Sequence, residues 1–415
     1  MSSKAVILAT FLVCGVGNSA LTCLEASAQS VDTLSDSASI SLITVLPGEA
    51  VYSLFGHSAL RVRDPDQNID YSFSYGTFHF DDPMFVPKFT RGDLDYYLSV
   101  AYFDNALRLY RDVEGRPVFE QRLALSGDQQ NRLFEFLQEN ARTENRYYRY
   151  DFLFDNCSTR IRDALETALA GEVSFEDSDS GAVSFRELLA PYLTERSFLR
   201  LGIDLLLGAR VDRRASPRET TFLPDHLSSL FDKGVLTDST GAHRSLVLRR
   251  DTLLSIPSYR RAESRFPWAG LMLGAICLWL AVITLMEARR GEVNERVDVI
   301  LFSLVGLIGC FLLFMWFGTS HNVTGANWNL AWAWPTHLVY AGLLARKGLS
   351  RQMIRYAMVS AAAMVILVAV WELIPQDLPE PALAVALMIA MRGAWIMLYA
   401  RKQKAGETLL TGPEG

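Results

Sequence analysis

From residue 266 onward the polar positions of this chain thin out. They leave five long apolar segments, Trp268–Met286, Val299–Phe317, Leu330–Ala345, Tyr356–Ile374 and Ala382–Ala400. Each approaches the roughly 20 residues an α-helix needs to cross a bilayer core, the third being the shortest. Upstream the pattern has a shorter period. Ile40–Val45 reads as a strand, and Ser58–Val62 alternates in part before the turn Asp64-Pro65-Asp66. The aromatic run Tyr71–Phe78 then suggests the second arm of a hairpin. Ser126 with Gln129 three residues later is a capping-box pattern, and Leu133, Phe136 and Leu137 supply the apolar face of the helix it opens. Asn156 is placed to cap another helix, with Ile161, Leu165 and Leu169 on one face. Residues 174–184 are acidic and Ser-rich and read as a loop, and Pro191, Pro217 and Pro224 break the rest of the region into short helices. Residues 29–265 therefore predict an α+β domain, followed by a helical bundle over 266–400 and a tail at 401–415.

Charge assigns the sides of the membrane. Arg289, Arg290 and Arg296 come after the first apolar segment, and Arg346, Lys347, Arg351 and Arg355 after the third. Arg401, Lys402 and Lys404 come after the fifth, whereas the intervening loops 318–329 and 372–381 hold no Lys or Arg. Ten basic residues against none place the basic segments in the cytoplasm, and domain 29–265 with the two neutral loops on the outer face. The N-terminus agrees. Lys4, the apolar stretch Ala5–Ala20 and Ala26-Ser27-Ala28 form a secretory signal over residues 1–28, with a mature chain starting near Gln29. Cys14 and Cys23 raise a lipoprotein signal as the rival, but neither is preceded by the small residue such a signal wants.

Composition narrows the chemistry. Half of the 415 residues are hydrophobic, and a net charge of −6 with no basic motif argues against a nucleic-acid partner. No internal repeat, phosphate-binding Gly-rich loop or compact Cys/His/carboxylate cluster is present, so neither a metal nor a cofactor is expected. Signal cleavage removes two of the five cysteines, and Cys277 and Cys310 fall in apolar segments. Cys157 is then the one thiol of the exported domain. A thiol in an oxidising compartment is a liability unless it is buried or used. If Asn156 caps the helix, Cys157 occupies its first turn, where orphan amides and the helix dipole favour thiolate and could hold an oxyanion. A thiol nucleophile needs a base, and Gly56-His57 opens a predicted strand. A buried inert cysteine and a structural histidine are the bland alternatives, and His79 is a second candidate base. Arg392 lies inside the fifth segment, where a charge needs a partner or a cavity.

Gly56-His57 with Asn156-Cys157-Ser158-Thr159 downstream resembles the circularly permuted papain-like hydrolases and acyltransferases, a group that includes lecithin:retinol acyltransferase. Over roughly residues 40–400 the chain more closely resembles the Lnb family of bacterial lipoprotein N-acyltransferases. The likeness rests on Phe55-Gly56-His57, Tyr75-Gly76-Thr77-Phe78, Phe152 through Arg160, Leu206-Leu207-Gly208 to Asp212, Phe222-Leu223-Pro224, and His321 with Asn327-Trp328-Asn329. The chain departs from the family pattern at Ser74 and His79, so the identity of a histidine-orienting group on that strand is open.

The resemblance implies a permuted papain-like domain on the periplasmic side of the inner membrane. Cys157 and His57 would be catalytic, with Asn156, Ser158, Arg160, Ser74, Tyr75, His321, Asn327 and Asn329 binding substrate or supporting. It implies a phospholipid acyl donor and a diacylglyceryl lipoprotein acceptor. The residues alone equally fit a membrane-anchored thiol hydrolase, an amidase, peptidase or phospholipase with water as acceptor. A non-enzymatic binding or assembly module is the third reading, although such a module has no need of both Cys157 and His57. The outer loop 320–329 could contact a headgroup or be an ordinary interfacial loop.

Overall fold

The computed structural model describes residues 32–79, 81–175, 183–194, 196–238, 240–259 and 266–410. The signal segment 1–28 and most of the acidic loop 174–184 lie outside the described residues. The chain divides into two compact units. The first comprises the described residues up to 82, those of 94–180, and those of 217–261; the second comprises 83–93 and the described residues of 181–216 and 262–415. Two stretches of the expected 29–265 domain thus belong to the membrane unit.

The strands are β1 (Ser39–Val45), β2 (His57–Asp64), β3 (Ile69–Thr77), β4 (Asp95–Tyr102), β5 (Val118–Leu123), β6 (Tyr147–Arg149), β7 (Val173–Phe175), β8 (Gly234–Thr237), β9 (His243–Ser245) and β10 (Val247–Leu254). The helices, in chain order, are α1 (Phe85–Arg91), α2 (Phe103–Arg108), α3 (Gly127–Ala141), α4 (Cys157–Leu169), α5 (Phe185–Leu189), α6 (Ser197–Leu206), α7 (Pro217–Thr220), α8 (Pro224–Lys233), α9 (Trp268–Arg290), α10 (Glu295–Phe317), α11 (Thr336–Lys347), α12 (Arg351–Ala369) and α13 (Glu380–Leu410).

The first unit is built on a seven-stranded sheet of order β10-β5-β1-β2-β3-β4-β6, antiparallel throughout. The predicted hairpin is β2–β3, with Leu60 opposite Phe73. Alternation sorts β1 and β2 onto two cores. Ile40, Leu42, Leu60 and Val62 meet Leu133, Leu137, Ile161, Leu165 and Leu169 of α3 and α4. Ile43, Val45 and Ala59 point the other way, onto Phe103, Ala106 and Tyr110. The sheet is therefore covered on both faces, which is why β1 is buried along almost its whole length.

In the second unit α9, α10, α12 and α13 (over Glu380–Lys404) are long and apolar enough to cross a membrane, four among the described residues where five segments were expected. The third segment folds instead as a 3-10 turn at Trp328–Ala331 and the 12-residue helix α11. At about 1.5 Å per residue α11 spans only about 18 Å. Its far end is nevertheless at the start of α10, since the Leu349 amide donates to Glu295 Oε1 at 2.8 Å. Its near end begins below the outer end of α10. A Cβ on Gly309 would lie 2.0 Å from the Ala333 carbonyl oxygen, and one on Gly306 would lie 2.3 Å from the Leu338 amide. Chain entering from the outer face thus runs irregularly to the depth of Gly309 before α11 completes the passage.

Irregular backbone at that depth is tolerated only where protein satisfies it. Asn327 Nδ2 donates to the Leu205 and Leu206 carbonyls at 2.7 and 3.2 Å, and Asn329 Nδ2 to Leu205 O at 3.2 Å. Gln376 accepts from the Trp328 amide at 2.7 Å and donates to Leu207 O at 3.0 Å. Gly208 is needed here, because a Cβ would stand 1.9 Å from Gly325 O. Arg186 binds Asp212 at 2.6 Å and Leu207 O at 3.1 Å, closing the same stretch. The buried Arg392 finds its partners in Asp298 at 2.7 and 2.8 Å, Glu287 at 2.8 Å and Thr284 at 3.0 Å. It joins α13 to α10 and α9.

Candidate active site

Helix α4 starts where Asn156 ends the preceding turn. The Asn156 Oδ1 accepts the amides of Ser158 and Thr159 at 2.9 and 3.0 Å, while Thr159 Oγ1 takes the Asn156 amide at 2.8 Å. The Asn156 Nδ2 donates to Phe152 O and Phe222 O, both at 2.8 Å, so every polar atom of this buried side chain is engaged. This cap sets the first-turn position of Cys157, which is 8% exposed.

Two hydroxyls hold α4 to the sheet. Ser158 Oγ and Ser58 Oγ lie 3.0 Å apart, both fully buried. Ser58 is the residue after His57 on β2, and its amide faces the Cys157 sulfur. Gly56 makes the tight entry into the strand: its φ is +85°, and a Cβ would stand 2.9 Å from Val45 O. Gly76, at φ +88°, brings β3 against the cysteine, where a Cβ would lie 3.7 Å from Cys157 Cβ.

His57 is half-buried, and its Nε2 shares a 2.7 Å hydrogen bond with Ser74 Oγ. Ser74 is in turn braced through its carbonyl, which accepts from Thr77 Oγ1 and Ser99 Oγ, both at 3.3 Å. Of Ser74 and His79, the two departures on that strand, it is Ser74 that contacts His57. His79 is exposed and stacks on Tyr97 at 4.7 Å. Among the described residues no hydrogen bond joins Cys157 to His57 in this resting arrangement; the sulfur sits 3.9 Å from Ser158 Oγ.

Burial, and secondarily the positive charge of Arg116, lower the His57 pKa to about 3. Burial likewise pushes the Cys157 thiol up, against hydrogen bonds from the Ser58 amide, the Ser158 hydroxyl and the amides of Ser158 and Cys157. This corrects the expectation of a thiolate favoured by the helix terminus: the resting pair is a neutral thiol and a neutral imidazole. The Ser158 and Thr159 amides are also taken by the cap, which leaves the Cys157 amide beside the sulfur.

Arg160 pairs with Asp155 at 2.7 Å and lies 3.5 Å over the Tyr148 ring and 5.8 Å from that of Tyr75. Burial raises the phenol pKa values of Tyr75, Tyr148 and Tyr150. Tyr148 Oη is buried with no partner among the described residues, and lies 3.9 Å from the Cβ position of Gly76. A cleft of about 390 Å³ opens beside Tyr75, Phe136, Asn140, Phe154, Arg160 and Thr167. Ser58, Tyr148 and Tyr150 escape a sequence reading; the Tyr-Tyr-Arg-Tyr run at 147–150 is the one available signal.

Cys157, His57, Asn156, Ser158, Arg160, Ser74 and Tyr75 all belong to the first unit. His321, Asn327 and Asn329 belong to the membrane unit. There Asn327 and Asn329 are buried braces of the backbone, and His321 bonds the Phe89 carbonyl at 3.0 Å. Among the described residues no group of three or more His, Cys, Asp or Glu side chains is gathered around a possible metal position.

A periplasmic α+β domain carrying a capped cysteine, followed by apolar helices, defines a multi-pass membrane protein with its soluble domain outside. Residues 27–194 match the Lnb N-terminal periplasmic domain and residues 266–404 match the Lnb transmembrane domain. The chain belongs to the Lnb family, and that membership points to an acyltransferase of the lipoprotein N-acyltransferase kind. No curated protein and no solved structure matches it.

Proposed function

We propose that this protein moves an acyl chain from a membrane phospholipid, through a thioester on Cys157, to the N-terminal amine of a diacylated lipoprotein. The observation that carries the proposal is the clasp of Ser58 to Ser158, which sets the cysteine helix against the strand residue next to His57. With Nε2 held by Ser74, Nδ1 is the nitrogen left to receive the thiol proton.

The thiol turns from Ser158 to His57 and loses its proton to Nδ1. Sulfur attacks the ester carbonyl, and the oxyanion is met by the Cys157 amide and the Tyr148 hydroxyl. The C–O bond breaks, and the imidazolium returns the proton to the leaving lysophospholipid alkoxide. The amine then attacks the thioester. A C–N bond forms, the C–S bond breaks, and the amine proton passes through His57 to the sulfur. The cleft beside Arg160 takes part of the amphiphilic donor.

A second reading is favoured by one distance. The 2.7 Å contact between His57 and Ser74 is itself the geometry of a serine nucleophile and its base. Reconstitution with phospholipid and a diacylated lipopeptide separates the two. Cys157→Ala and His57→Ala should each lower lipopeptide N-acylation by at least about 10³-fold, because nucleophile and base act as one unit. Ser74→Ala should cost about tenfold, the scale of one lost orienting hydrogen bond. Mass spectrometry without acceptor should find the acyl group on the peptide containing Cys157. An acyl ester on Ser74, with Cys157→Ala active, would overturn the thiol mechanism. Release of lysophospholipid and free fatty acid with no acylated lipopeptide would make the protein a hydrolase.

A further inference from the structure

Helix α1 belongs to the membrane unit although it is the connection between β3 and β4 of the sheet. It has seven residues, none of them buried. Met84 just before it and Val86 and Phe89 within it are 54, 56 and 50% exposed, and Phe85 stacks on Phe89 at 5.9 Å. Single exposed apolar side chains are common on any protein surface. Here Val86 and Phe89, three residues apart, share one face of a helix that buries nothing, with Met84 exposed just before it, and such a cluster marks an interaction site.

The position of α1 identifies what covers that face. The Ser320 amide donates to Arg91 O at 2.7 Å, and Ser320 Oγ meets Asp93 Oδ1 at 3.2 Å. His321 Nε2 donates to Phe89 O at 3.0 Å, and Gly92, in the left-handed region at φ +72°, packs against His321. Ser320 is three residues past the outer end of α10, whose last turn exposes Phe314, Trp316 and Phe317. The carboxyl end of α1 is therefore tied to the level at which a membrane-crossing helix leaves the hydrocarbon.

We propose that α1 is an interfacial helix whose exposed Val86 and Phe89, with Met84 at its start, sit among the glycerol and upper acyl groups of outer-leaflet phospholipid. Short amphipathic elements of this kind embed about 5–10 Å below the headgroups. His321 is then an anchor that holds the carbonyl end of α1, a positioning role rather than one in substrate chemistry. The inference rests on topology and would stand even if the acyl-transfer reading failed.

The test uses the full-length protein in vesicles of phosphatidylethanolamine and phosphatidylglycerol. All native cysteines are replaced, and a single cysteine at Val86 carries an environment-sensitive fluorophore. The Val86 label should emit to the blue and lose at least half its intensity to lipids bearing a nitroxide at the upper acyl chain, while aqueous iodide quenches it weakly. A label at Glu144 should show the reverse. Met84→Cys, labelled in the same way, guards against a local disturbance at Val86. If both labels are quenched by iodide as strongly as the one at Glu144, and spared by the nitroxide lipids, the helix is not seated in lipid. Protection from both quenchers would mean that another protein surface covers the face, which equally overturns the proposal. No readout depends on catalysis.

Discussion

His57 stands where a proton is hard to keep. Burial and the charge of Arg116 both disfavour the imidazolium, so the ring, with its pKa lowered to about 3, is neutral around pH 7. The thiol of Cys157 is held protonated by burial as well. A helix terminus contributes about 0.3–1 kcal/mol to a nearby charge, less than one pKa unit, whereas burial can move a group by several units. Burial therefore decides the resting state, and in the proposed mechanism proton transfer waits for substrate. The competent form, neutral ring with neutral thiol, persists from about pH 3 to above the ordinary thiol range. We predict that kcat/KM for the phospholipid donor, which reports thioester formation and not the later attack by the amine, stays level from about pH 5.5 to 8, since neither group changes charge there. A pH series in detergent-lipid micelles checks this. An acid limb centred near the ordinary imidazole value of about 6.5 would show that the ring is solvated and the burial argument wrong.

At the scale of elements, close approach of α10 and α11 is what lets a 12-residue helix finish a crossing. Gly306 and Gly309 make that approach possible, because the atoms a Cβ would strike belong to backbone and have no rotamer to yield. Gly309→Ala should lower stability by about 2 kcal/mol or more, in the range of an overpacked core, and depress the thermal midpoint accordingly. Gly342→Ala, on α11 with nothing within 4 Å of the added carbon, should be neutral or stabilising by up to about 1 kcal/mol. Equal midpoints for the two variants, measured in the same detergent, would remove the close-packing account. Some elements are legible without coordinates. The capping box at Ser126 and the N-cap at Asn156 form as read, because a cap involves residues two or three apart in the chain. The edge strand β10 is not legible, since Arg249, Arg250 and Asp251 interrupt any alternation and its pairing partner β5 is more than a hundred residues away.

For the whole molecule the count of crossings sets the location of the tail. A periplasmic domain with the cytoplasmic C-terminus that the basic residues predict requires an odd number, in which case α11 and its irregular approach would together make the fifth passage. Four crossings would return the tail to the outer face. Reporter fusions after Asn322 and after Lys404 should therefore give opposite signals, with the former periplasmic. Matching signals would show that the third segment enters and leaves on one side. The buried Arg392 bears on the same architecture. It ties α13 to α9 and α10 through two carboxylates, so the charge that needed a partner or a cavity has its partners within the bundle.

Reading the chain alone determined what depends on neighbours in sequence or on bulk solvent. Helix caps, the β2–β3 hairpin and four of the five apolar segments come from hydrogen bonds a few residues apart and from periodicity. It also brought Cys157 and His57 forward, because a capped cysteine and a glycine-preceded histidine are local features. Only the tertiary structure shows what meets the histidine: the orienting position on that strand was open between Ser74 and His79, and it is Ser74 that meets His57 across paired strands. The same holds for Asn327, Asn329 and Gln376, whose amides read as substrate contacts or loop polarity until carbonyls over a hundred residues away engage them. It holds too for the state of the thiol, since burial depends on every element packed around Cys157, whereas the helix dipole depends on one.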